Sequence, residues 1–277
     1  VIHGPLQYPD PANQGFMNNP GIVLTDAGVV LLDPGSSVQS GEMVLRAVRK
    51  LSDKPVVAVF NSHVHGDHWL GNQAVRTAFP QAKIYGHPNM IRLVADGEGD
   101  SWVERMATLT EGKTLGTRVV GPDQAVDHGD EIRVGNLTFR MHHYGKAHTT
   151  TDIMVEIVEP GVVFTGDIVF NGRIPRIDDG DIVGNINSCT EILKTGAGVY
   201  VPGHGQTGDE SVVRTMHTYL DTVYSSVKTL FEDDLSDFEM KEPISAKLQA
   251  YADWEDFDAQ LGKHISFSYL KVEGEAF

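Results

Sequence analysis

One eight-residue segment restricts the folds open to this chain more than any other feature. It reads Asn61-Ser62-His63-Val64-His65-Gly66-Asp67-His68 and holds three imidazoles and one carboxylate. It follows the apolar run Val56-Val57-Ala58-Val59-Phe60, which reads as a buried strand. The fold must therefore bring a strand end to a polar site. His63 and His65 are two apart, so extended backbone sends both side chains the same way. Gly66 then lets the chain turn before Asp67 and His68. One metal ion suits the first pair and a second suits the other. A solvated loop without metal rarely needs three histidines this close.

Other candidates stand beside other strands. His148 lies in Gly145-Lys146-Ala147-His148-Thr149-Thr150-Thr151-Asp152, between two strand-like stretches. Asp167 ends the apolar run Val162-Val163-Phe164-Thr165-Gly166-Asp167, where a loop is expected to begin. His204 follows Val199-Tyr200-Val201-Pro202-Gly203 in the same manner. Taken alone, each is better explained as a hydrogen-bonded residue at a strand end. Taken with the first cluster, they fill two coordination shells.

The ordered set His63-x-His65-x-Asp67-His68, His148, Asp167, His204 resembles the metallo-β-lactamase superfamily. The likeness runs over roughly residues 20 to 207 and includes the strand pair Ile22–Thr25 and Val29–Asp33 with the turn Asp33-Pro34-Gly35. It implies an α/β fold, the αββα sandwich of two mixed sheets flanked by helices, with metals at one sheet edge. The apolar patterning agrees. Strands are expected at about 21–25, 28–33, 55–60 and 82–85, with helices at about 38–51, 70–79 and 88–109. Strands at about 130–134, 137–144, 152–158 and 162–167 follow, then a helix near 187–195 and a strand at 199–202.

The resemblance also implies a ligand set. One ion would take His63, His65 and His148, the second Asp67, His68 and His204, and Asp167 would bridge them. Two zinc ions suit such donors, with iron or manganese as substitutes. The implied activity is that of a binuclear hydrolase whose metal pair turns water into hydroxide. Asp67 would orient the nucleophile and relay its proton. Asp33 is either a carboxylate behind a ligating histidine or a turn cap.

Ligand types narrow the branch. The best-known zinc β-lactamases carry cysteine where this chain has Asp167. An aspartate there is typical of thioester hydrolases of the glyoxalase II type, lactonases, phosphodiesterases and alkylsulfatases. Flavodiiron proteins have glutamate in place of His65. The expected substrate is a small-molecule ester, thioester, lactone or lactam. The alternatives are a phosphodiesterase or sulfatase of the same fold, and a single-iron oxygenase resembling persulfide dioxygenase that uses His63, His148 and Asp167.

Substrate contacts are expected from loops near the metals. Trp69 and Leu70 could form an apolar wall, and Lys146 precedes a ligand by two residues. Asn171, Arg173 and Arg176 lie after Asp167 on a stretch expected to pass over the site. A guanidinium there would clamp a carboxylate, or would pair with Asp178, Asp179 or Asp181. His142 and His143 read as strand residues. His3, His87, His128, His217 and His264 show no partner pattern.

A net charge of −16 argues against a nucleic-acid partner, because phosphate binding is driven by Lys and Arg. No apolar run approaches the ~20 residues that span a bilayer. The single Cys189 says nothing about compartment. A chain starting at Val1 is compatible with a removed signal peptide or a trimmed start, so localisation stays open.

The expected division is a catalytic core over 1–207, opened by an arm over 1–20 rich in Pro, Asn and Gln, and a helical extension over 208–277. Ser211–Glu232 carries apolar residues at helical period, and Ser245–Tyr251 begins a further helix. Tyr251, Trp254, Phe257, Phe267 and Tyr269 are expected to pack on the body. Walling the active site and forming a homo-oligomer contact are two further uses open to the extension.

Overall fold

The strand Val29-Val30-Leu31-Leu32 has no polar side chain, and all four residues are buried. Successive strand residues face opposite ways, so such a run must be covered on both sides. Val29 and Leu31 pack against helices, whereas Val30 and Leu32 face a second sheet. This one strand therefore already demands layers above and below its sheet.

The computed structural model describes residues 1–276. The first sheet holds β1 (Gly21–Leu24), β2 (Val29–Leu32), β3 (Val56–Phe60), β4 (Lys83–Gly86) and β5 (Gln124–Ala125) in that order. β1 and β2 are antiparallel, and the other pairs are parallel. Its outer face is covered by α1 (Val38–Leu51) and, after the short α2 (Gly66–Trp69), by α3 (Asn72–Ala78). A further pair, α4 (Pro88–Leu93) and α5 (Gly99–Leu109), follows β4.

The second sheet holds β6 (Glu131–Val134), β7 (Leu137–His142), β8 (Met154–Ile157), β9 (Val162–Asn171) and β10 (Val199–Gly205), in the order β10-β9-β8-β7-β6. Only β10 and β9 are parallel there. Phe60, Ala58 and Leu32 of one sheet meet Phe139, Met141 and Val155 of the other in the core between them. The outer face of the second sheet is covered by α6 (Ile182–Leu193) and α7 (Glu210–Glu232), with α8 (Lys241–Lys247) and α9 (Phe257–Ala276) beyond. This is the αββα arrangement with C-terminal helices. Among the described residues, no helix is long and apolar enough to cross a membrane.

Several element bounds differ from the expected ones. The helix expected at 88–109 is interrupted by a π-type turn at Val94–Glu98, where Gly97 has φ 108°. The helix expected at 70–79 is α3, Asn72–Ala78, and the short α2 at Gly66–Trp69 precedes it without having been expected. α6 begins at Ile182 because Asp181 caps it, its carboxylate accepting from Gly184 N–H. β9 does not stop at Asp167 but continues to Asn171, and β10 continues to Gly205. β5 has only two residues, too few to leave a pattern.

α7 buries Val212, Val213, Met216, Tyr219, Leu220, Val223 and Val227, the stripe its period calls for. These side chains share one apolar cluster with β9, β10 and α6. Residues after 207 thus join α6 in the outer layer of the second sheet. Tyr251 and Phe257 are buried in that cluster, and Trp254 and Tyr269 are half-buried against it. Phe267 is exposed, contrary to expectation.

His264 of α9 is fully buried between Tyr219 Oη, 3.0 Å away, and Pro175 O, 2.9 Å away. Burial lowers its pKa to about 4, against 6.5 for the free side chain. The unfolded chain therefore takes up a proton between about pH 6.5 and 4 that the folded chain refuses. This part of the stability is complete above pH 6.5 and is lost as pH falls through that window. From pH 7 to 5 the loss should be about 2 kcal/mol. In urea unfolding, His264→Gln should lower stability at pH 7 but lose about 2 kcal/mol less than the wild type over the same interval. Equal pH dependence in both proteins would contradict this account.

Candidate metal centre

β3 delivers Asn61 and Ser62 to the sheet edge, and the chain then crosses to the second sheet. Ser62 N–H donates to Asp33 Oδ1 at 2.8 Å, and Val64 N–H to Thr151 Oγ1 at 3.0 Å. Asp67 and His68 sit on α2, not in a loop. Gly66 has no positive φ; a Cβ there would lie 2.7 Å from Trp102 Cβ. Its small size, not a turn, is what this position requires.

Asp167 lies inside β9, which differs from the strand end expected for it. The pairing of β9 with β10 shifts register twice near Pro202, a bulge that turns Asp167 and His204 toward one point. Gly203 lets the strands close on the carboxylate: a Cβ there would come within 2.0 Å of Asp167 Oδ1. Phe170 stacks on the His204 ring with centroids 4.8 Å apart.

The seven side chains converge as two groups able to hold a metal: His63, His65, His148 and Asp167; and Asp67, His68 and His204. Asp167 reaches both. Its oxygens lie 3.5 Å from His148 Nε2, 3.8 Å from His63 Nε2, 3.1 Å from His68 Nε2 and 3.4 Å from His204 Nε2. Asp67 Oδ2 is 3.4 Å from His68 Nε2 and 3.3 Å from His204 Nε2.

The far side of most rings is tied down. His63 Nδ1 meets Ser62 Oγ, His68 Nδ1 meets Asp33 Oδ2 at 2.9 Å, and His204 Nδ1 donates to Met17 O. His65 Nε2 faces Asp179 Oδ2, which leaves its Nδ1 3.0 Å from His148 Nε2. Such partners fix a ring and present its other nitrogen as a ligand. His63 Nε2, His68 Nε2 and Asp167 Oδ1 are buried with no hydrogen-bond partner, as is His148 Nδ1. Unpaired buried polar atoms are costly, and cations held at the two groups would satisfy the first three.

The charge balance has the same sense. Burial lowers His63 well below its usual range, and the nearby His68 lowers it further. Burial takes His148 to about 3. Burial alone would also lower His68, but Asp167, Asp67 and Asp33 together raise it well above the usual value. Burial raises Asp67 and Asp167, but His68 and His204 outweigh it and hold both well below the carboxylate range. The centre is a nest of carboxylates that recruits positive charge.

A cavity of about 250 Å³ opens onto His65, Asp67, His148, Asp167 and His204. Trp102, Met106 and Leu109 from α5 form one wall, and Tyr8, Pro9 and Met17 from the N-terminal arm another. Trp69 and Leu70 do not line it; both are fully buried beneath α5, with the Trp69 indole donating to Val64 O. Lys146 points to solvent, and Asn171 donates to Gln206 O away from the cavity. Arg173 does line it, but its Nε pairs with Asp256 Oδ2 at 2.6 Å and Tyr8 covers its guanidinium at 3.9 Å. Arg176 pairs with Asp178. Sequence reasoning missed Trp102, Tyr8 and Asp256, which reach the site across 35 or more residues and leave no local signal.

The model of one protein family, the metallo-beta-lactamase superfamily, matches residues 14–204. The chain belongs to that superfamily. A hydroxyacylglutathione hydrolase from Trichormus variabilis is 28% identical over 167 residues, covering 58% of this chain and 53% of the relative. Another from a Nostoc species is 29% identical over 164 residues, again 58% and 53%. The chain thus spans about half the length of these relatives. A solved metallo-beta-lactamase from Pontibacter korlensis aligns with a TM-score of 0.59 at 20% identity, covering 72% of this chain and 85% of that one. This last likeness is one of fold.

Proposed function

We propose that the chain is a two-metal hydrolase acting on a small-molecule ester, thioester, lactone or lactam. The observation that carries this reading is Asp167, one buried carboxylate within reach of both histidine groups. His63, His65 and His148 would hold one ion, Asp67, His68 and His204 the other, and Asp167 both. Mixed imidazole and carboxylate donors suit zinc, and iron or manganese less specifically. Such a pair supplies a nucleophile from water near neutral pH and stabilises charge on the departing group. Asp67 lines the cavity with Oδ2 turned to His68 and His204, so its Oδ1 is the atom we assign to accept the water's proton. Trp102, Met106 and Leu109 hold the substrate body and exclude water. Single-iron chemistry would leave Asp67, His68 and His204 packed together, buried, with nothing between them.

The cavity volume favours a small molecule, and the chain charge of −16 disfavours nucleic acid. The test is a panel of chromogenic ester, thioester, lactone, lactam, phosphodiester and sulfate substrates offered to zinc-loaded protein. Turnover of a carbonyl substrate, lost on chelation, is the expected result. Preference for the phosphodiester or sulfate would overturn the substrate class, and chelator-insensitive turnover would overturn the metal role.

Asp33 gives a separate check. Asp33→Asn keeps the shape but weakens the hold on His68 Nδ1. Chelator competition should show the second ion bound about 10–100-fold more weakly. Unchanged affinity would reduce Asp33 to a turn residue.

A further inference from the structure

We propose a third metal site, outside the cavity, built by His87, Asp127 and His143. His87 follows β4, Asp127 follows β5, and His143 follows β7, so both sheets contribute. One ligand atom from each lies within 4.8 Å of the others. The His87 and His143 rings stack with centroids 4.3 Å apart, and His87 Nε2 is 3.6 Å from Asp127 Oδ1. None of the three lines the cavity.

His143 is prepared as a ligand. Its Nδ1 donates to the backbone oxygen of Asp152 at 2.7 Å, which places the proton there and leaves the Nε2 lone pair free. His87 is buried, and burial together with His143 lowers its pKa, which favours the neutral ring. Its Nδ1 accepts the Asn89 N–H at 3.2 Å as the cap of α4. That bond needs the proton on Nε2, so an ion must shift the proton and give up the cap. The site is therefore weaker than the buried pair.

Asp127 supplies charge and adaptability. Its side chain is 57% exposed and can swing the short distance that separates 4.8 Å from the spacing of donors on one ion. Two imidazoles and one carboxylate, completed by water, suit a divalent ion of the zinc and copper class. Magnesium and calcium prefer all-oxygen shells.

The test uses the full chain and zinc. After loading and dialysis against zinc-free buffer, a calorimetric titration should show one further equivalent binding more weakly than the resident metal. His143→Ala and Asp127→Asn should each lose that equivalent and keep the dialysis-resistant ions. Asp127 is exposed, so its variant keeps the test open if His143→Ala folds poorly. Absence of the extra equivalent in the wild type, or its persistence in both variants, would overturn the proposal. Failure of the two-metal reading is distinguishable: the dialysis-resistant ions would be missing while the weaker one stayed sensitive to both substitutions.

Discussion

Asp167→Ala should lower turnover by about 10³-fold or more, because on the proposed two-metal reading it would remove the one ligand common to both ions. In the native protein its oxygens stand 3.1–3.8 Å from four imidazole nitrogens. Without it, His63 and His148 lose their anionic partner, and His68 and His204 keep only Asp67 and, for His68, Asp33. The fold should survive, since β9 is held by its backbone ladder to β8 and β10 and by the apolar cluster behind it. Circular dichroism should be unchanged while kcat and metal content fall together. Asp167→Cys should retain zinc, as thiolate is a good ligand, while altering activity. Turnover near the wild-type level in the alanine variant would show that Asp167 is not shared.

Chelation should lower the melting temperature by about 10 °C or more. An ion present at ~1,000 times its Kd stabilises by about 4 kcal/mol per site, and each kcal/mol is worth about 2–4 °C in a chain of this size class. The physical cause is the packing of Asp67 and Asp167 with four buried imidazoles, those of His63, His68, His148 and His204. His63 Nε2, His68 Nε2 and Asp167 Oδ1 there have no hydrogen-bond partner and would gain one from a bound cation. Scanning calorimetry with and without chelator measures the shift. A melting temperature indifferent to metal would mean that these groups are satisfied without it.

The layers and the His63 to His68 cluster were legible because their signals are local, whereas His148, Asp167 and His204 joined that cluster only through the ordered pattern that the resemblance supplied. Val29–Leu32 and Val56–Phe60 announce doubly covered strands, and His63 to His68 follow the end of the second within eight residues. The helical stripe of α7 was equally plain. The cavity wall was not. Trp69 was a reasonable wall residue by sequence position, yet α2 turns it inward beneath α5 and leaves the wall to Trp102. Its position in the sequence makes Arg173 either a clamp or a partner of nearby aspartates. Its partner is Asp256, 83 residues away, with Tyr8 across its face. The grouping of His87, Asp127 and His143 likewise depends on sheet order, which no spacing in the sequence encodes.

The central claim is that two cations share Asp167. Elemental analysis of zinc-loaded protein, dialysed against zinc-free buffer, tests it most directly when run beside Asp67→Ala. The account predicts two tightly held zinc ions per chain in the wild type and one in the variant, because Asp67 serves only the group with His68 and His204. One tightly held ion in both proteins would contradict it.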